Sequence, residues 1–120
     1  MQKKKILVAD DDVGILEVMT LMLEGAGYDV ETTFGAKTEG RVLTYAPDLL
    51  LLDIWMSGTD GRSICKKLKS KKRTAHLPII MISANKDTEK IAKEAGADNF
   101  ISKPFEMEHL LSMVKKYVSK

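Results

Sequence analysis

One cysteine, Cys65, is all the thiol chemistry this chain has, so an internal disulfide is excluded and a reducing cytoplasm suits it. No apolar stretch approaches the length needed to cross a membrane, which leaves no basis for expecting a membrane partner. The basic start from Met1 to Lys5 is followed only by Ile6 to Ala9 before Asp10, too short an apolar run for an export signal. Neither sign of charge dominates. With 19 basic and 17 acidic residues the net charge is +2, which gives no general reason to expect nucleic acid or an anionic surface as partner. Internal repeats and low-complexity segments are also missing. What remains is 120 residues suited to one compact domain, 1–120, that would bury roughly two thirds of its unfolded surface.

Four short apolar runs stand out, each ending on a polar residue: Ile6 to Ala9 before Asp10-Asp11-Asp12, Leu49 to Leu52 before Asp53, Ile79 to Ile82 before Ser83, and Phe100-Ile101 before Lys103-Pro104. Runs of this kind predict strands buried on both faces, as in a parallel sheet. Tyr28 to Thr33 predicts a further, less buried strand. Segments of helical periodicity lie between them. The first follows Asp12, a natural cap, through Val13, Leu16, Met19, Met22 and Leu23 to the stop at Gly25 and Gly27. The second, about Ala36 to Tyr45, carries Gly40 and a thin stripe of Val42, Leu43 and Tyr45. A third after Gly61 carries Ile64, Cys65 and Leu68, a fourth runs from about Asp87 to Gly96, and a fifth carries Met107, Leu110, Leu111, Val114, Tyr117 and Val118. Met19, Met22 and Met107 are expected as core filler. The alternation predicts an α/β, doubly wound sheet of five parallel strands with five helices and right-handed crossovers, in the flavodoxin-like order 2-1-3-4-5.

In such a sheet all strand C-termini share one edge, where open α/β folds hold ligands. If the first and third strands are neighbours, as in the flavodoxin-like order, Asp10, Asp11 and Asp53 would stand side by side. Carboxylates about 5 Å apart repel by roughly 3 kcal/mol per pair at an effective dielectric near 20, so the cluster favours a bound cation, and hard oxygen donors favour Mg²⁺. Lys103 is too far along the sheet to serve all three acids, yet is placed to meet an anion near Asp53, and Ser83 offers the same anion a hydroxyl. An aspartate can attack phosphorus and carry an acyl phosphate, while cation, ammonium and hydroxyl neutralise the transferred oxygens. These residues point to phosphoryl acceptance at Asp53.

The chain resembles a response-regulator receiver domain of two-component and phosphorelay signalling over essentially its whole length. The resemblance is carried by Asp10-Asp11 after an apolar strand, by Asp53 followed by Met56, Gly58, Asp60 and Gly61, by Ser83-Ala84, and by Phe100 three residues before Lys103-Pro104-Phe105. It implies that Asp10, Asp11, Asp53 and the Trp55 carbonyl hold Mg²⁺ and that a sensor histidine kinase or histidine phosphotransfer protein supplies phosphate to Asp53. It also implies that Lys103 pairs with the phosphoryl group, that Ser83 and Phe100 act as the switch, and that the Lys103-Pro104 bond is cis. Such a domain is a phospho-acceptor that assists its own phosphorylation and dephosphorylation rather than an enzyme. Two positions depart from the pattern. Ser57 stands where the family usually has proline, which predicts a looser loop, and bulky Trp55 is expected to shield the acyl phosphate from water.

Three readings compete with this one. An aspartate-nucleophile phosphatase of the haloacid dehalogenase type also begins from an acid closing a strand, but Trp55 occupies the place of its second acid. A flavin binder needs amide and hydroxyl donors where this chain puts carboxylates. A non-phosphorylated pseudo-receiver would work only by binding another protein. Lys66, Lys67, Lys69, Lys71, Lys72 and Arg73 predict a solvated helix end rather than a nucleic-acid site, since no aromatic residue is interleaved. His76 and His109 are expected at the surface and Cys65 against the sheet. With no effector following Lys120, output is expected through a downstream protein and not through direct nucleic-acid binding, unless the chain is a fragment of a longer regulator.

Overall fold

The computed structural model describes residues 2–119, so Met1 and Lys120, the ends of the expected domain, lie outside the described residues. Five strands form one parallel sheet: β1 (Lys5–Ala9), β2 (Asp29–Thr33), β3 (Leu49–Asp53), β4 (Ile79–Ser83) and β5 (Asn99–Ser102). Their order is β2-β1-β3-β4-β5, the flavodoxin-like order that was expected. Every residue of β3 and β4 is buried, because helices cover both faces and neither face needs polar side chains. At the sheet's margin β2 is less buried, with Asp29 and Thr32 exposed and only Thr33 buried.

Strand periodicity divides the interior into two cores. Leu7, Leu50, Leu52, Ile79 and Met81 point to one face, where they meet Val42, Ile64, Cys65, Leu68, Ala92 and Ala95 from α2 (Thr38–Tyr45), α3 (Gly61–Ser70) and α4 (Thr88–Ala95). Ile6, Val8, Leu49, Leu51, Ile80, Ile82 and Ile101 point to the other, against Met19 and Leu23 of α1 (Val13–Gly25) and Leu110, Val114 and Val118 of α5 (Met107–Val118). Fully burying one such leucine or isoleucine contributes about 1.5–3 kcal/mol, so burial on both faces holds these strands in the interior.

Helix ends follow the local chemistry. Asp12 caps α1, its Oδ1 accepting from the Ile15 amide at 3.2 Å, and Asp60 caps α3, its Oδ1 accepting from the Arg62 amide at 2.9 Å. Gly96, in the left-handed region at φ 86°, ends α4. A 3₁₀ turn over Gly35–Lys37 precedes α2, so that helix begins at Thr38 rather than near Ala36. The Lys103-Pro104 bond is cis.

Three expectations are corrected. Met107 is 51% exposed and Val13 67% exposed; each is the first residue of a helix that starts beyond the carboxyl edge of the sheet, where no apolar neighbour waits. Leu43 is likewise exposed, so α2 rests on Val42, Thr38 and the half-buried Tyr45. Lys69 is not a solvated helix end: its ammonium donates to the Leu77 carbonyl at 2.7 Å and pairs with Asp98 at 2.7 Å, tying α3 to the start of β4 and β5. Lys67 and Lys71 do remain largely exposed, near Glu39. His76 and His109 are at the surface, and Cys65 is buried in the core.

Beyond β3 the chain makes a small antiparallel ribbon, Trp55–Met56 with Thr59–Asp60, that the strand pattern did not reveal. It delivers Gly61 against the end of β3, and the Gly61 amide donates to the Ile54 carbonyl at 2.8 Å. A Cβ at Gly61 would lie 2.4 Å from the Asp53 carbonyl oxygen and 3.0 Å from Ile54 Cα. Backbone on both sides leaves nothing flexible to yield. Gly61→Ala is therefore expected to lower stability by ~1–3 kcal/mol or more, read as a fall in the urea midpoint at unchanged slope.

Candidate functional site

The carboxyl ends of β1, β3, β4 and β5 place Asp10, Asp53, Ser83 and Lys103 on one edge of the sheet. Backbone bonds lock the edge together: Asp10 N–H donates to the Thr33 carbonyl at 3.1 Å, Ile54 N–H to Ile82 at 3.2 Å and Lys103 N–H to Ser83 at 2.9 Å. One oxygen from each of Asp10, Asp11 and Asp53 lies within 4.8 Å of the others. Asp10 and Asp53 are buried and Asp11 is exposed. The Lys103 ammonium reaches Asp10 Oδ2 at 3.0 Å and Asp53 Oδ1 at 3.6 Å, serving two of the three acids. The ammonium lies nearer to Asp10, on the more distant strand, than to Asp53, where an anion was expected to meet it.

Two further acid oxygens are positioned by backbone amides. Asp10 Oδ1 accepts from the Asp12 amide at 3.0 Å, and Asp11 Oδ2 accepts from the Ser57 amide at 2.6 Å. Burial, and next the negative charge of Asp10, push the Asp53 carboxyl up to about 6, with Lys103 pulling it back, Asp11 adding to the rise and the Trp55 amide opposing it. A carboxylate so raised in the absence of a cation is one that a cation would relieve. Three hard oxygen donors at this spacing could hold a metal ion.

The other expected site residues fall around this centre. Ser83 is buried, its Oγ accepting from the Asn85 amide at 3.0 Å, which leaves its proton free to donate elsewhere. Phe100 lies further back along β5, half-buried against the core on the α4 face, and is not part of the acid cluster. Trp55 is 46% exposed, and the Arg62 guanidinium lies 4.5 Å from its ring centroid while pairing with Asp60 at 2.7 Å. Three contributors were not found by sequence reasoning: the Ser57 amide, the Arg62 clamp on Trp55, and the close approach at Gly61. Only the missing proline at 57 carried a trace of the first. The loop it was expected to loosen is instead a two-residue turn bonded to Asp11.

Comparison with known proteins agrees with the geometry. The family model described as response regulator receiver domain matches residues 6–115. Among curated proteins the chain is 36% identical over 114 residues to the DNA-binding dual master transcriptional regulator RpaA of Synechocystis, covering 92% of this chain and 47% of that protein. It is also 36% identical over 118 residues to the phosphate regulon transcriptional regulatory protein PhoB of Pseudomonas aeruginosa, covering 96% and 52%. The receiver domain of NtrX from Brucella abortus superposes with TM-score 0.87 at 32% identity, covering 96% of this chain and 98% of that one. Chemotaxis protein CheY4 of Vibrio cholerae does so with TM-score 0.88 at 25% identity, covering 97% and 99%.

The chain belongs to the receiver domains of two-component response regulators. It spans about half the length of the curated relatives it matches. The haloacid dehalogenase and pseudo-receiver readings gain no support from these relatives. The exclusion of nucleic acid is corrected, because RpaA and the mycobacterial MtrA regulators, 34% identical over 116 residues, are DNA-binding proteins. That exclusion was drawn from the net charge, the basic face and the lack of an effector after Lys120, which say nothing of what a regulator containing this domain binds. No helix among the described residues is long and apolar enough to cross a membrane.

The raised Asp53 carboxyl has a measurable consequence. Its folded value near 6 exceeds the ordinary 3.8, so the folded state holds the proton longer and stability falls as pH rises from about 4 to about 6. Asp53→Asn cannot ionise. In buffer free of divalent cations the variant is expected to be more stable than the parent above pH 6, by on the order of 1–3 kcal/mol, with the gap closing toward pH 4 in thermal melts.

Proposed function

We propose that Asp53 accepts a phosphoryl group from a phosphohistidine of a sensor histidine kinase or phosphotransfer protein, in the cytoplasm, with Mg²⁺ held by Asp10, Asp11, Asp53 and the Trp55 carbonyl. The observation that carries this reading is the buried Asp53 carboxylate meeting both Lys103 and Asp10 at one sheet edge. An Asp53 oxygen attacks phosphorus, the phosphorus–nitrogen bond breaks, and the imidazole keeps the electron pair and takes a proton. When bound, the cation neutralises charge on the transferred oxygens. Lys103, already within reach of Asp53, transfers part of its pairing to the new phosphoryl group, and the free proton of Ser83 supplies a hydrogen bond. In this reading the Ser83 movement draws Phe100 inward and alters the face built from α4, β5 and α5. The chain works as a phospho-acceptor that assists its own chemistry rather than turning over a substrate. RpaA and MtrA are DNA-binding regulators, and control of a DNA-binding output is the reading this likeness favours.

Incubation with acetyl phosphate and Mg²⁺ is expected to add the mass of one phosphoryl group to the parent and none to Asp53→Asn. Repeated failure of the parent to gain mass would overturn the proposal, and labelling that survives in the variant would move the acceptor elsewhere. Trp55 adjoins the acceptor and its indole is held by Arg62, so Trp55→Ala is expected to lose phosphate severalfold faster, measured by the decay of the intact phosphoprotein mass.

A further inference from the structure

Of the three acids in the cluster, Asp11 has the least to hold it. Asp10 is buried between the Asp12 amide and Lys103, and Asp53 is buried at a strand end within reach of the same ammonium. Asp11 is exposed, and the ammonium that serves the other two acids is engaged with them. Its carboxylate is met instead by the Ser57 amide at 2.6 Å, a contact between residues 46 positions apart. An exposed aspartate without such a contact distributes itself over several rotamers, and ordering it on a ligand costs free energy.

The ribbon makes this amide available. Trp55 pairs with Asp60 and Met56 with Thr59, so Ser57 and Gly58 are the two central residues of the turn. Gly58 has φ 72° and Ser57 is not among the residues with positive φ, the pattern of a type II turn with Ser57 in its first central position. Proline is favoured at that position and would keep the turn, but it has no N–H to give. Serine there is a backbone donor gained rather than a rigid residue lost. The hydrogen bond is charge-assisted and occupies one lone pair of Oδ2, leaving Oδ1 and the rest of Oδ2 for a cation.

We propose that the backbone amide of Ser57 positions Asp11 as a ligand for the divalent cation, so that this turn sets the metal affinity of the acid cluster through its N–H and not through its side chain. The inference rests on the metal role assigned to Asp10, Asp11 and Asp53 above. Hydrogen bonds that orient ligating carboxylates affect metal affinity by roughly 10–100-fold, and an exposed site belongs at the lower end of that range.

The test uses the full chain and Mg²⁺ alone, titrated by calorimetry and by the fluorescence of Trp55, the single tryptophan. Ser57→Ala, which keeps the amide, is expected to bind as the parent does, and Ser57→Pro about tenfold more weakly. In an Asp11→Asn background, Ser57→Pro is expected to add no further loss, because the amide acts through Asp11. Metal-free thermal midpoints of Ser57→Pro at or above that of the parent show that the turn survives. Equal or tighter binding by Ser57→Pro, or a loss that adds fully to that of Asp11→Asn, overturns the proposal. A folded parent with no saturable response to Mg²⁺ overturns the metal reading beneath it, and the inference with it.

Discussion

Three carboxylates and one ammonium share the edge of this sheet, and the negative surplus there is the constraint around which the molecule is arranged. Two acids near one another in a buried place repel by several kcal/mol unless something compensates, and Lys103 compensates only in part. Burial first, and next the repulsion from Asp10 that Lys103 offsets only in part, raise the affinity of the Asp53 carboxyl for a proton. What prevents the acids from turning outward is backbone: strand ends that cannot retreat because β3 and β4 are buried throughout, and amides of Asp12 and Ser57 that take one oxygen each. The scaffold thus preserves an arrangement that is unfavourable by itself and that a bound cation would relieve.

The same scaffold explains the small residue at the mouth of the site. Gly61 brings the first turn of α3 within contact of the Asp53 and Ile54 backbone, closer than any side-chain-bearing residue allows. Asp60 caps that helix and also grips Arg62, which in turn lies across Trp55. A short stretch from Asp53 to Arg62 therefore supplies a buried carboxylate, the Trp55 indole, a turn that reaches across to Asp11 and the start of the helix behind them.

Much of this was legible in the sequence. Three apolar runs of four residues and the pair Phe100-Ile101 pointed to strands, and because parallel strands end on a common edge, Asp10, Asp53, Ser83 and Lys103 could be gathered without coordinates. Periodicity was less informative where helices begin: Val13 and Met107 satisfy the apolar spacing yet extend past the sheet, and spacing does not encode where a neighbour ends. Contacts made by backbone amides, such as Ser57 to Asp11, leave no residue signature apart from a missing proline. Lys69 shows a related difficulty, since one lysine in a basic series is folded inward by two carbonyls and Asp98 that belong to later segments. The partner inference erred for a different reason, because domain composition describes a domain and not the assembly in which relatives use it.

At the margin of the sheet β5 is hydrogen-bonded to β4 alone. Its consecutive residues Phe100 and Ile101 enter opposite cores, one beneath α4 and the other beneath α5. A strand with a single neighbour can slide or tilt while sacrificing few ladder bonds, and this one carries Lys103 just past its end. Lys103 and the two helical layers thus share one short backbone path, running from the acid cluster through the outermost strand into the cores beneath α4 and α5.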